Sequence, residues 1–188
     1  MTEYSDRFIK VADGFSRRVE AVPATAWDNP TPCEGWVARD VVRHLVEWVP
    51  GFFTGTAGLT FPTIPSADVD PVGAWSTLRA ALEHQLADEP VATREIDAPM
   101  GRMSIEAAID MIVTGDVLVH TWDLARATGL DETLDPIEVA RMLEGIEPMD
   151  EVLRGSGHYG RRVAVPDDAD TQTKLIAFVG RNPADPGR

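Results

Sequence analysis

Residues 115–125 read GDVLVHTWDLA and set a carboxylate, Asp116, four residues before an imidazole, His120. The neighbouring side chains are mostly apolar, as expected of a helix that contributes to a core. Side chains at positions i and i+4 of a helix lie on one face, about 6 Å apart along its axis. An unpaired charge in a core costs several kcal/mol, so each group requires a partner. Such a pair can bind a metal ion, or it can form a structural ion pair.

A second segment, residues 38–57, contains an anomaly of the same kind. His44 lies on an otherwise apolar helical stripe formed by Val41, Leu45, Trp48 and Phe52. If the two helices face each other, His44 meets Asp116 and His120. Two imidazoles and one carboxylate, with coordination positions left open, are typical of catalytic metal sites and of the facial triad of non-haem iron. We predict these three residues as metal ligands, and a metal-free network of hydrogen-bonded core residues is the alternative.

Asp123, one helical turn beyond His120, is the nearest candidate for a catalytic residue acting as a general base. It can instead accept a hydrogen bond from a ligand imidazole, as an outer partner of the metal site. Pairing with Arg39 or Arg43 is a further interpretation.

A cysteine, a histidine and the tryptophans are further candidates for the site. Cys33 is expected to be a small packing residue rather than a zinc ligand. His158, in the glycine-rich segment GSGHYGRR, is expected to be a surface histidine rather than a residue that closes over a pocket. The tryptophans are expected in the core, where Trp48 and Trp122 are close enough in sequence to the two histidines to form walls of the site.

The hydrophobic periodicity indicates the elements that position these residues. Helices are predicted over 3–21, 38–57, 71–88, 104–128 and 136–154, with a short final helix over 173–181 and an extended or hairpin segment over 89–103 that turns near Pro99 and Met100. Pro50 is expected to kink the second helix or to end it near residue 49. Four substantial helices joined by loops predict an all-α four-helix bundle, with residues 1–155 as the bundle and 156–188 as a C-terminal extension packed on the same domain.

Charge and composition exclude several classes of function. The formal net charge of −14 disfavours nucleic acid as a partner, because phosphates are repelled. No stretch approaches the ~18 apolar residues of a membrane span, and the polar, acidic start is unlike a signal peptide. The single cysteine excludes an internal disulfide framework and a cysteine-only metal cluster. We therefore expect a cytoplasmic protein that does not bind membranes.

Two motifs resemble a known family. PTPCEGWVARDVVRHLVEW at 30–48 and GDVLVHTWDLARATG at 115–129 are similar to the actinobacterial branch of the DinB/YfiT-like superfamily, to which the N-terminal domain of mycothiol-dependent maleylpyruvate isomerase belongs. The tail VAVPDDADTQTKLIAFVGRNP resembles the same branch. The resemblance implies a four-helix bundle that binds one divalent metal, zinc or nickel, through residues that correspond to His44, Asp116 and His120. The superfamily more commonly has Glu where this chain has the shorter Asp116, which places the metal closer to the helix or weakens the site.

These observations predict a metal-dependent enzyme with a small-molecule substrate. The metal would activate a low-molecular-weight thiol, by resemblance mycothiol as cosubstrate, for S-transfer or isomerisation, or it would activate water for hydrolysis. The alternative is a non-catalytic bundle that binds a metal or a ligand. Bundles of this kind often form pairs, so a homodimer is a further expectation.

Overall fold

Helices form most of the regular structure of this chain. The computed structural model describes residues 2–98, 101–155, 157 and 159–185. The four longer bundle helices are α1 (Glu3–Ala21), α2 (Ala38–Ala57), α3 (Pro71–Ala87) and a composite helix over 105–128, which consists of α5 (Ile105–Ala108), a π-helical segment (Ile109–Thr114) and α6 (Gly115–Thr128). The shorter elements are α4 (Glu89–Ala92), β1 (Glu95–Ala98), β2 (Gly101–Ser104), α7 (Pro136–Ile146), a 3₁₀ turn (Glu147–Met149), α8 (Asp150–Gly155) and α9 (Thr171–Phe178).

The four longer helices surround one core. Helix α1 packs against α3 and α6, and α2 packs against the same two helices on the other side. The largest fully buried side chains come from all four helices and from α9: Phe8, Phe15, Leu45, Phe53, Trp75, Leu78, Leu82, Ile105, Ile109, Leu124, Leu175 and Ile176. The prediction of an all-α bundle with short extended segments is therefore confirmed. None of the described helices has both the length and the apolar character that a membrane span requires.

Polar side chains fix where the helices begin. The Asp70 side chain accepts a hydrogen bond from the backbone N–H of Gly73 at 2.8 Å, and Pro71 occupies the first turn of α3. Ser104 caps the composite helix in the same way, and Gly129 ends it with a φ of 70°, a left-handed conformation suited to glycine. The boundaries predicted for this helix are thus those observed.

Helix α2 has the predicted bounds of 38–57; the alternative that it ends near residue 49 is wrong, because the helix continues through Pro50 to Ala57. Proline removes one backbone hydrogen bond, but it does not remove the packing that holds the flanking turns in place. Val49 and Phe53 lie on either side of Pro50 and are both fully buried. Their burial keeps the second half of α2 on the bundle.

Two other segments depart from the predicted elements. Part of the expected extended segment folds as the single turn α4, in which the backbone N–H groups of Val91 and Ala92 donate to the Asp88 carbonyl. The hairpin itself is present, since β1 pairs antiparallel with β2, while Pro99 and Met100 lie outside the described residues. The predicted helix over 136–154 is divided into α7, the 3₁₀ turn and α8, because Pro148 cannot continue the α-helical hydrogen bonds.

Helix α9 connects the C-terminal segment to the rest of the fold. It packs on α7 and buries Leu175, Ile176 and Phe178. After the helix, Gly180 has a φ of 92°, and a Cβ atom built on it would lie 2.7 Å from the Gly160 Cα atom. Only glycine fits this crossing of two backbones. The chain then turns so that Arg181 lies against α6.

Candidate metal centre

The structure brings His44, Asp116 and His120 together. His44 comes from α2, and the other two residues come from the first turns of α6, which packs against α2. The His44 Nε2 atom lies 3.1 Å from Asp116 Oδ2, and His120 Nε2 lies 3.4 Å from Asp116 Oδ1. One ligand atom from each of the three residues lies within 4.8 Å of the other two.

The donor set and its spacing fit a divalent cation. Two ligands that are each about 2.0–2.1 Å from zinc in a tetrahedral site lie about 3.3 Å apart. The carboxylate–imidazole separations of 3.1 and 3.4 Å are close to that value. Two imidazole nitrogens and one carboxylate oxygen also suit zinc and nickel better than calcium or magnesium, which prefer oxygen ligands only.

The charges of the site are strongly coupled. Burial alone would raise the pKa of Asp116, but the charge of His120 and hydrogen bonds from His120 and His44 hold it well below its usual range. Burial would lower the pKa of His120, but the Asp116 charge and hydrogen bonds with Asp116 and Asp123 raise it well above its ordinary value. An ionised carboxylate only accepts hydrogen bonds, so the ring nitrogens that face these carboxylates are donors. A cation would take the place of these protons between Asp116 and the two rings.

Two tryptophans surround the three residues. Trp48 donates its Nε1–H to Asp116 Oδ2 at 3.0 Å, which fixes the carboxylate. The Trp36 ring is stacked on His120 with centroids 5.7 Å apart and is tilted against His44 at 5.1 Å. The side chains of His44 and Asp116 are 31% and 28% exposed, whereas that of His120 is 5% exposed. The site is therefore closed at His120 and reaches solvent at His44 and Asp116.

Behind His120 lies Asp123, whose side chain is fully buried. His120 Nδ1 is 2.9 Å from Asp123 Oδ2, and Arg181 donates from Nη2 to the same oxygen at 2.8 Å. Burial would raise the pKa of Asp123, but the charge of Arg181 and the hydrogen bond from His120 lower it to about 2. Asp123 is therefore an ionised group that orients the His120 ring and fixes its outer nitrogen as a donor.

The suggested pairing of Asp123 with Arg39 or Arg43 is wrong. Arg39 pairs with Asp28 at 2.9 Å, and Arg43 pairs with Asp40 and Asp68. Sequence reasoning missed Arg181, which follows α9 and is 58 positions away from Asp123 in the chain. The only signal for it was indirect: a buried carboxylate at Asp123 requires a cationic partner.

The other candidate residues are placed as follows. Cys33 is half-buried and is more than a packing residue, because its thiol donates to Asp123 Oδ2 at 3.4 Å and accepts from Arg181 Nη2 at 3.3 Å. Trp122 is buried with the Arg126 guanidinium 4.6 Å above its ring. His158 lies outside the described residues.

Comparisons with known proteins find two similar chains and one family model. Two Mycobacterium tuberculosis proteins, the uncharacterized proteins MT0763 of strain CDC 1551 / Oshkosh and Rv0738 of strain ATCC 25618 / H37Rv, are each 29% identical to the chain over 175 residues. The aligned region covers 92% of this chain and 94% of each relative. No solved structure matches the chain.

A family model described as the mycothiol maleylpyruvate isomerase N-terminal domain matches residues 10–72. The matched region covers most of α1, all of α2 and the loop up to α3, and it includes His44, while Asp116 and His120 lie beyond it. The match agrees with the resemblance predicted from the sequence: residues 10–72 of this chain are similar to the mycothiol maleylpyruvate isomerase N-terminal domain family.

Proposed function

We propose that this chain binds one divalent cation through His44, Asp116 and His120 and that it uses the cation to activate a small molecule. The observation that carries the proposal is the convergence of these three side chains from two helices, within 4.8 Å, at a place open to solvent on one side. Zinc is the first candidate and nickel the second, because the donor set is two nitrogens and one oxygen.

The residues around the cation have separate roles in this proposal. When bound, a divalent cation with three protein ligands lowers the pKa of a coordinated water or thiol and supplies a nucleophile near neutral pH. Trp48 and Asp123 hold Asp116 and His120 in place through the hydrogen bonds at 3.0 and 2.9 Å. Trp36 covers the His120 ring and excludes water from that side.

Two reaction classes follow from this arrangement. A low-molecular-weight thiol such as mycothiol would be the cosubstrate of S-transfer or isomerisation, and the family match over residues 10–72 supports this class. Hydrolysis by an activated water is the other class.

A second candidate function is metal or ligand binding without catalysis. It is favoured by the contacts of Asp123, the predicted general base. Its carboxylate is buried and is occupied by His120 and Arg181, so it orients a ring more readily than it exchanges protons with a substrate.

Zinc binding by the untagged protein tests the proposed site. After metal removal, we expect the chain to take up one equivalent of zinc, and His44→Ala and His120→Ala each to weaken binding by more than about 100-fold. His84→Ala, which removes an exposed histidine of α3, is the matched control and should bind as wild type does. A folded wild-type chain that takes up neither zinc nor nickel would contradict the proposal.

Activity assays then separate the reaction classes. The zinc-loaded chain would be incubated with mycothiol and a panel of small electrophiles, and thiol consumption would be followed against His120→Ala. Consumption that depends on His120 supports the transferase or isomerase class. Hydrolysis of small esters and amides without thiol supports the second class, and inactivity in both assays favours the binding function.

A further inference from the structure

A second group of potential ligands lies directly behind the proposed site. Ligand atoms of Cys33, His120 and Asp123 are all within 4.8 Å of one another, which by spacing alone would also suit a divalent cation. The two groups share His120, whose Nε2 faces Asp116 and whose Nδ1 faces Asp123. A neutral imidazole has only one unprotonated nitrogen, so a neutral His120 can serve one of the two groups at a time.

The side chain of Arg181 already occupies the second group. Its Nη2 atom donates to Asp123 Oδ2 at 2.8 Å and to the Cys33 sulfur at 3.3 Å, and its Nε atom lies 3.2 Å from Asp123 Oδ1. Arginine remains protonated at all ordinary pH values, so this positive charge is permanent. The guanidinium thus lies where a metal ion would have to approach both the thiol and the carboxylate.

We propose that Arg181 acts as a built-in cation that excludes metal from Cys33, His120 and Asp123 and so directs a divalent cation to His44, Asp116 and His120. This inference deepens the proposed function and rests on it for the location of the bound metal. Arg181 is a positioning residue, because it acts through Asp123 and His120 and touches none of the reacting atoms.

The anchoring of Arg181 makes the exclusion stable. Its Nη1 atom donates to the Val179 carbonyl at 3.2 Å, and its backbone N–H donates to the Ile176 carbonyl at 3.0 Å. The contact of Gly180 with the Gly160 backbone fixes the turn just before it. A metal ion could enter the second group only if it displaced a mostly buried cation that has five hydrogen-bonding contacts with Asp123, Cys33 and Val179.

Cobalt(II) substitution under reducing conditions tests the inference, because a thiolate ligand gives cobalt a near-ultraviolet sulfur-to-metal charge-transfer band. The wild-type chain should bind cobalt without this band. Arg181→Met should acquire the band, since the side chain that blocks Cys33 and Asp123 is gone, and Arg181→Met combined with Cys33→Ser should lose it again. Cys33 is the only cysteine of the chain, so the assignment of the band is unambiguous.

Two variants separate charge from structural effects. Arg181→Lys retains a positive charge and should remain without the band. Arg126→Met removes another mostly buried arginine that holds the C-terminal segment through the Pro183 carbonyl, with a side chain 13% exposed compared with 15% for Arg181. It should also remain without the band, because Arg126 does not block the thiol.

The outcomes distinguish this inference from the proposed function. A thiolate band in the wild-type chain, or its absence in a folded Arg181→Met variant, overturns the inference. If Arg181→Met does not fold, Arg181→Gln is tested in its place. A wild-type chain that binds no metal, together with a band in Arg181→Met, supports the exclusion of metal from Cys33 and Asp123 by Arg181 but rejects the proposed function and the direction of a cation to His44, Asp116 and His120.

Discussion

The ring of His120 has two nitrogens with different tasks. Nδ1 faces the buried Asp123 at 2.9 Å, and Nε2 faces the more exposed Asp116 at 3.4 Å. Because Asp123 is ionised and held by Arg181, Nδ1 is kept as a donor and Nε2 is the nitrogen available to a metal. The direction of this ring is therefore determined by residues that lie behind the site.

The Trp48 indole N–H provides a residue-scale test of such outer contacts. Trp48→Phe removes the donor that lies 3.0 Å from Asp116 Oδ2 and keeps most of the ring. We expect zinc affinity to fall about tenfold, since partners of ligand side chains typically contribute 10–100-fold. Competition titration with a chromophoric chelator measures the change.

Trp75→Phe is the matched control for this substitution. The Trp75 indole N–H donates to Ser16 at 2.8 Å, so the same change of side chain removes a comparable hydrogen bond between α3 and α1. It should lower stability and leave zinc affinity unchanged. Equal losses of affinity in both variants would show that Trp48 acts only through the fold.

At the residue scale, the candidate ligands could be predicted because polar residues interrupt apolar helical stripes. His44, Asp116 and His120 each interrupt an apolar stripe, and such interruptions can be read in one sequence. Arg181 does not interrupt an apolar stripe, because it follows a short helix. Its partner Asp123 lies on another element, so the pairing has no local signal in the sequence. The contact of Trp36 with the site could not be predicted either, since its stacking on His120 depends on how the loop before α2 folds.

The composite helix over 105–128 shows why its register was only partly predictable. A uniform α-helix would place Ile105, Ile109 and Ile112 on one stripe, but in the structure Ile112 is only half-buried. The π-helical segment has more residues in each turn, so a spacing of four places Ile109, Val113 and Val117 successively in the core. Such a segment is selected by tertiary packing and has no distinct local pattern.

Gly180 provides an element-scale prediction. Gly180→Ala adds a methyl group 2.7 Å from the Gly160 Cα atom, at a backbone φ of 92° that other residues rarely adopt. We expect the free energy of unfolding to fall by more than about 1 kcal/mol, since alanine is incompatible with this conformation. Urea denaturation measures the loss.

Gly145→Ala is the control, because Gly145 lies within α7 and a Cβ atom there would contact nothing within 4 Å. It should stabilise the chain by about 0.5–1 kcal/mol, the usual advantage of alanine in a helix. If Gly180→Ala also stabilises the chain, the two backbones do not approach each other closely at Gly160 and Gly180.

The start of α9 gives a prediction about pH. The Asp170 side chain caps the helix through the Thr173 N–H at 2.9 Å, and hydrogen bonds from the Thr173 backbone and side chain lower the pKa of Asp170. A lowered pKa in the folded state means that the charge contributes stability above about pH 4, the ordinary pKa of an aspartate, and that this contribution is lost as pH falls through the folded pKa.

Two substitutions separate the cap from its charge. Asp170→Ala should cost about 1 kcal/mol at pH 7, and Asp170→Asn, which can still cap, should cost less. The difference in unfolding free energy between wild type and Asp170→Asn should shrink between pH 5 and pH 2.5, because only the wild-type side chain titrates there. A difference that is constant over this range would contradict an effect of charge.

At the scale of the whole molecule, the helix bundle could be predicted from the sequence, but the ion pairs that join its helices could not. The lengths and apolar stripes of the helices determine that four of them must bury one face against each other. Which charged residues join the elements depends on distances across the fold, and a single sequence does not provide these. Arg7 is an example: from α1 it reaches both the π-helical segment and α7.

Arg7 therefore provides a prediction about the assembled fold. Its Nη1 atom lies 2.7 Å from Asp110 Oδ1, and its Nε atom lies 2.5 Å from Glu138 Oε2. All three residues are at least nine-tenths buried. Arg7→Met leaves two carboxylates without their shared cation, and we expect the free energy of unfolding to fall by about 3–5 kcal/mol.

Comparison with other substitutions shows whether this loss comes from unpaired charge. Arg102→Met breaks an exposed pair with Glu95 and should leave stability nearly unchanged, because solvent screens both charges. Replacing Arg7, Asp110 and Glu138 together by Met, Leu and Met should recover most of the loss, because no buried charge then lacks a partner. If the triple variant is as unstable as Arg7→Met, the three residues contribute through shape or through specific hydrogen bonds, and burial of unpaired charge is not the cause.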